Sequence, residues 1–192
     1  MADVILYGFA PSTYTRTARM ACAESGASHE LRPLEFKQPS HFALHPFGKM
    51  PVMQLGGVTL FESLAIASYV DDVFGGGRLQ PKQPANRARM LQWISASIDY
   101  VYRNVVGALI KSEATDGAAL ETARAQLRVA DAALAQSAYL AGEKVSLADL
   151  FLFPMLDYAA ANAGEPLLMG FTHLSRWHHE MARRPSAQET RS

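Results

Sequence analysis

Apolar positions follow two rhythms along this chain, and the change falls near residue 76. Val4-Ile5-Leu6-Tyr7 is a short β-rich run closed by Gly8 and Pro11, which predicts a buried strand. Ser12 to Ser25 holds neither glycine nor proline, and Gly26 follows in the position of a C-cap; this predicts a helix. His29 to Leu34 suits a second strand, and strand–helix–strand order implies parallel pairing. Lys37 to Lys49, punctuated by Pro39, Pro46 and Gly48, is expected to be irregular. Val52–Leu55 and Val58–Phe61 flank Gly56-Gly57, a hairpin signal. Ser63 to Phe74 then carries Leu64, Ala67, Val70 and Phe74 at helical spacing. The expected order is β-α-β followed by β-β-α.

Residues 75–84 contain three glycines and two prolines. The chain is therefore expected to divide into residues 1–76, a linker at 77–84, and residues 85–192. Beyond the linker only helices are expected. Leu91, Ile94, Ile98, Val101, Val105 and Leu109 mark a long amphipathic one, and Leu120, Ala123, Leu127, Ala130 and Leu134 a second. The run LADLFLFPML is apolar on nearly every face, which predicts a central, buried helix. Ser146 is expected to cap it through its hydroxyl, with Asp149 answering the Ser146 N–H. A short helix from about Leu174 to Ala182 follows, and the polar tail PSAQETRS is expected to fray.

Composition narrows the function classes. The chain has 192 residues, 49% apolar and 19% charged, which excludes general disorder. Its 18 basic and 18 acidic side chains leave no basic footprint for nucleic acid. A single cysteine, Cys22, excludes an intrachain disulfide and a Cys-rich metal site. The N-terminal MADVILYGFAPS lacks the basic stretch of a secretory leader. No uncharged apolar run approaches the roughly 18 residues that span a membrane. A soluble, cytoplasmic protein is expected.

Candidate chemistry lies in three places. Ser12 stands at the first strand-to-helix junction. A hydroxyl there either caps the helix or, helped by the free N–H groups and the dipole, donates to a bound thiolate. Met50-Pro51 opens a strand after a Gly-containing loop. A cis bond would turn the Met50 backbone outward to pair with an extended peptide; a trans bond would leave an ordinary loop. Glu62-Ser63 ends a strand and starts a helix. Ser63 can receive a carboxylate and Glu62 an ammonium group, or the pair is a plain cap beside a solvated acid. Together these describe a site for a small extended peptide with a thiol. His41 and His45 stand four apart, as in a helical metal pair, but no third ligand has matching spacing and no metal is expected.

The segments LYGFAPSTYTRTARMACAESG, HFALHPFGKMPVMQL, LFESLAIASYV, QPANRARMLQW and YLAGEKVSLADLFLFPMLDY, in that order, resemble the glutathione S-transferase family over nearly the whole chain. The likeness is to its serine-type, phi-like cytosolic members. It implies a thioredoxin-like α/β N-terminal domain, an all-helical C-terminal domain, glutathione as co-substrate, and a homodimer. It implies that Ser12, four residues after Gly8, is catalytic, with Tyr7, Thr13 and Tyr14 left as alternative thiolate partners. His41 and Lys49 match contacts to the glycine carboxylate, and the Met50 backbone beside Pro51 matches the contact to the cysteinyl portion. Glu62 and Ser63 match contacts to the γ-glutamyl group. Phe9, Ala10 and Pro11, with Tyr100, Arg103 and Val106, are expected to line the electrophile site. Cys22, ten residues beyond Ser12, reads as a core residue, which argues against the omega-like, cysteine-type branch.

The chemistry follows from the thiol. A free thiol is largely protonated at neutral pH, and the thiolate is the nucleophile. Each unit of pKa lowering requires about 1.4 kcal/mol, within reach of a hydroxyl donor plus a helix N-terminus. Conjugation of glutathione to hydrophobic electrophiles is therefore expected. The alternatives are glutathione-dependent peroxidase, isomerase or dehalogenase activity on the same fold, and a non-catalytic interaction domain.

Overall fold

A computed structural model of the chain describes residues 3–108, 117–163 and 165–191; Leu109 of the expected long helix lies outside them. The chain forms two compact units, Met1–Gln80 with Pro185–Ser192, and Pro81–Arg184.

The first unit is built on strands β1 (Val4–Tyr7), β2 (His29–Arg32), β3 (Val52–Leu55) and β4 (Val58–Phe61), in spatial order β2-β1-β3-β4. β1 and β2 are parallel, with Val4 opposite His29, so a crossover must join them; α1 (Thr13–Ser25) supplies it. The other pairs are antiparallel, with Tyr7 opposite Val52 and Val52 opposite Phe61. α1 stops at Gly26, whose φ of 80° is a left-handed C-cap that favours glycine. Val4, Leu6 and Met53 pack with Ala18, Cys22, Ile66 and Val70 in one core. Val4 and Leu6 are fully buried while Ile5 and Tyr7 are half-buried, so β1 alternates between its two faces.

The stretch expected to be irregular contains a helix, α2 (Pro39–Leu44). Pro39 sits in its first turn, where the missing N–H would have no intrahelical partner. The following helix, α3 (Ser63–Val70), packs beside α1 and continues as an i→i+5 wound turn, Asp71–Gly75. Buried Asp71 accepts from Leu79 N–H at 3.1 Å and Gln80 Nε2 at 3.3 Å, which ties down the connector.

The second unit contains α4 (Pro84–Ala96), which runs on into a wound stretch (Ser97–Val106), α5 (Gly117–Leu134), α6 (Leu147–Ala163) and α7 (Thr172–Ala182). Every residue from 147 to 156 is buried, and α6 packs on α4, the wound stretch and α7. Leu91 is exposed, contrary to its place in the apolar pattern. Within α4 the buried face is Met90, Trp93 and Ile94 instead, and the wider winding continues it in four-residue steps at Ser97, Val101 and Val105. At the start of α6 the Asp149 carboxylate accepts the Ser146 N–H at 2.9 Å, as expected. The Ser146 hydroxyl differs: it donates to the same carboxylate at 3.0 Å instead of accepting from the helix. Asp149 has no exposure, and Leu140 N–H and Trp177 Nε1 complete its donors, as a buried anion requires.

The tail is not frayed. Residues Pro185–Glu189 form α8, with Ser186, Ala187 and Thr190 buried. Arg16 on α1 donates to the Ala187 carbonyl and Arg19 to the Thr190 carbonyl, each at 3.1 Å. Those carbonyls lie at a helix C-terminus, where no intrahelical donor remains. Among the described residues, no helix is long and apolar enough to cross a membrane.

Candidate active site

Ser12 is the N-cap of α1. Thr15 N–H donates to Ser12 Oγ at 3.3 Å, and Arg16 N–H donates to the Ser12 carbonyl at 2.9 Å. The cap reading is therefore realised, but it does not compete with thiol chemistry. A hydroxyl that accepts from the helix keeps its own proton to donate. The junction is tight: a Cβ on Gly8 would lie 2.5 Å from Thr15 Oγ1, so a side chain there would push α1 away from the end of β1. Among the alternatives, Tyr7 donates its hydroxyl to Gln54 Oε1 on β3 at 3.0 Å. Thr13 is buried in the first turn, and Tyr14 is half-buried. Cys22 is fully buried, and burial pushes its thiol up to about 12, which leaves it unreactive at neutral pH.

The Met50–Pro51 peptide is cis. Among the described residues, the Met50 N–H and C=O have no hydrogen-bond partner. Beside them lies His41, the residue matched to the glycine carboxylate. His41 is 1% exposed; its Nδ1 accepts from Lys37 N–H at 3.0 Å, and its Nε2 donates to the Lys49 carbonyl at 2.7 Å. Both nitrogens meet backbone groups, and Phe36 and Phe42 lie against the ring at centroid distances of 5.2 and 5.9 Å. In this arrangement both ring nitrogens of His41 are engaged by the loop backbone. The basic side chains of this loop are Lys49 and Lys37, and the sequence reading passed over Lys37. A φ of 63° makes Lys37 unusual, but nothing in the residue order announces that conformation. His45 is 2% exposed, accepts from Phe47 N–H at 3.3 Å, and lies 4.8 Å from the Phe61 ring. Burial holds its pKa below the ordinary histidine value.

Ser63 is the first residue of α3 and is 7% exposed. Glu62 precedes it at φ 70° and ψ 118°, and its side chain takes no N–H of the helix. No side chain caps the first turn of α3, and Glu62 is an exposed acid. Among the described residues, Lys37 and Glu62 are the two non-glycine positions with positive φ. Such strain persists only where the surroundings impose it, and it gathers at ligand sites. Phe9 and Pro11 are exposed in the first unit. In the second, Tyr100 is exposed and Arg103 pairs with Asp99 at 3.7 Å. Val106 is buried in the helical core and is not free to line a site. Among the described residues, no three His, Cys, Asp or Glu side chains are grouped to hold a metal.

A mixed sheet in the order β2-β1-β3-β4, a capped α1 and a cis-proline loop, joined to an all-helical unit, define a thioredoxin-like transferase architecture. Family models agree: the glutathione S-transferase N-terminal domain matches residues 2–72, and the C-terminal domain matches residues 94–185. Glutathione S-transferase 4 of Zea mays is 33% identical over 97% of this chain and 91% of its own length. The solved structure of glutathione S-transferase I bound with lactoylglutathione superposes with a TM-score of 0.89 at 27% identity, covering 98% of each chain. The structure of glutathione S-transferase I from mais with an atrazine glutathione conjugate gives 0.87 at 27% identity, covering 98% of this chain and 96% of that one. This chain belongs to the glutathione S-transferase family.

Proposed function

We propose that the protein binds glutathione in its first unit and activates the thiol to attack hydrophobic electrophiles, as a cytoplasmic homodimer serving detoxification. The observation that carries this reading is Ser12, whose Oγ accepts from Thr15 N–H and so keeps its proton for a thiolate. The unpartnered Met50 backbone pairs with the cysteinyl portion beside Pro51. Lys49, joined by Lys37 in place of His41, meets the glycine carboxylate. Glu62 takes the γ-glutamyl ammonium, while Ser63 and the uncapped start of α3 take its carboxylate. Within the first unit, exposed Phe9 and Pro11 beside Ser12 contact the electrophile.

In the reaction the thiol loses its proton to solvent and the sulfur pair forms a bond to the electrophilic carbon, with the leaving group departing with its own electron pair. Ser12 stabilises the thiolate and is neither nucleophile nor base. The test is an ultraviolet titration of the thiolate of bound glutathione against pH, in the wild type and in Ser12→Ala. The variant is expected to bind glutathione normally while its thiolate fraction at neutral pH, and its turnover, fall about ten- to a hundredfold. Unchanged turnover would remove Ser12 from this role.

A further inference from the structure

We infer that His41 is a positioning residue that sets glutathione affinity through the backbone; this rests on the glutathione reading above. Its Nε2 donates to the Lys49 carbonyl at 2.7 Å, immediately before the Met50 backbone groups that carry no other bond. Its Nδ1 accepts from the N–H of Lys37, a residue held at φ 63°. A carbonyl can only accept and a backbone N–H can only donate, so the ring is locked in its Nε2–H tautomer. One buried imidazole thus clamps the two ends of a loop twelve residues apart, Lys37 and Lys49. The rings of Phe36 and Phe42 restrict its rotation. The clamp presents two lysine side chains and one strand-like backbone edge as a single unit, although His41 itself touches no ligand.

This arrangement separates from a direct carboxylate contact by the ligand used to probe it. γ-Glutamylcysteine has the groups for Met50, Glu62 and Ser63 but lacks the glycine carboxylate. His41→Asn places an amide near Nδ1 and loses the Lys49 arm; His41→Gln reaches the Nε2 position and keeps it. The clamp predicts that His41→Asn raises KM and Kd about five- to tenfold for glutathione and about three- to fivefold for γ-glutamylcysteine, which loses only the placing of the Met50 edge. It leaves kcat and the thiolate titration of bound ligand within about twofold. His41→Gln should restore most of the dipeptide affinity. Weakened glutathione binding with unchanged γ-glutamylcysteine binding would overturn the proposal in favour of direct contact, and so would unchanged affinity for both.

Hydrogen exchange supplies a readout independent of activity. The Lys37 amide is expected to be protected in the wild type and to exchange at least tenfold faster in His41→Gln, which lacks the acceptor. An unprotected Lys37 amide in the wild type would overturn the clamp. Should the wild type bind no glutathione, the functional reading fails, and the exchange measurement still decides whether the clamp exists.

Discussion

Glu62 holds a backbone conformation that costs about 1–3 kcal/mol for a residue with a Cβ, and its side chain makes no cap that would offset the cost. Glycine adopts φ 70° freely, at an entropic penalty of about 0.5–1 kcal/mol. Glu62→Gly should therefore raise the unfolding free energy by about 1 kcal/mol in a denaturant titration while weakening glutathione binding tenfold or more by calorimetry. Loss of stability in that variant would show that the strain reading is wrong. His45 carries a pH prediction. Burial lowers its pKa below the ordinary 6.5, so the unfolded chain takes the proton first as pH falls. Its stabilising contribution is complete above about 6.5 and is lost as pH falls below that value toward the lower folded one. His45→Asn keeps an acceptor for Phe47 N–H without the titration, so its thermal midpoint should decline less between pH 7 and 5 than the wild-type midpoint. Spacing put His41 near Lys49, but only the folded loop brings backbone groups onto both of its nitrogens.

At the scale of elements, the start of α6 shows how local and tertiary causes combine. The reciprocal Ser146–Asp149 pairing is legible because both partners lie within four residues of each other. Leu140 N–H and Trp177 Nε1 are not legible, since they reach the same carboxylate from nine and 28 residues away. Asp149→Ala would leave these donors buried without an acceptor and should cost about 3–5 kcal/mol, read as a lower denaturation midpoint. Ser146→Ala keeps the backbone bond and should cost about 1 kcal/mol. The helix α2 escaped the sequence reading because it is six residues long, too short for an apolar period to show. Its prolines and glycine signal a boundary equally well whether a loop or one helical turn lies between them.

For the whole molecule, the last eight residues belong with the first unit, and no local signal announced it. A polar tail ordinarily frays, but here buried Arg16 supplies a donor to Ala187 and Glu24 accepts from Ser186. A chain ending at Arg184 should retain its helical content but lose about 2 kcal/mol of unfolding free energy, because the Arg16 guanidinium loses the Ala187 carbonyl. Circular dichroism against denaturant would measure this; an unchanged midpoint would mean that the tail packs without stabilising.

The sequence alone determined what depends on neighbours along the chain. It set the β-α-β and β-β-α order, the hairpin at Gly56-Gly57, the buried α6, and the placing of Ser12, Met50-Pro51 and Glu62-Ser63 at element ends. Those features follow from periodicity, turn residues and capping, which act within a few residues. Only the tertiary structure decided what depends on partners far apart in the chain. It turned Tyr7 to Gln54, enclosed His41 between Lys37 and Lys49, gave Asp149 its remaining donors, and folded the tail onto α1. A hydrogen bond is specified by where two atoms meet, and for a buried polar group that meeting is settled when the core closes around it.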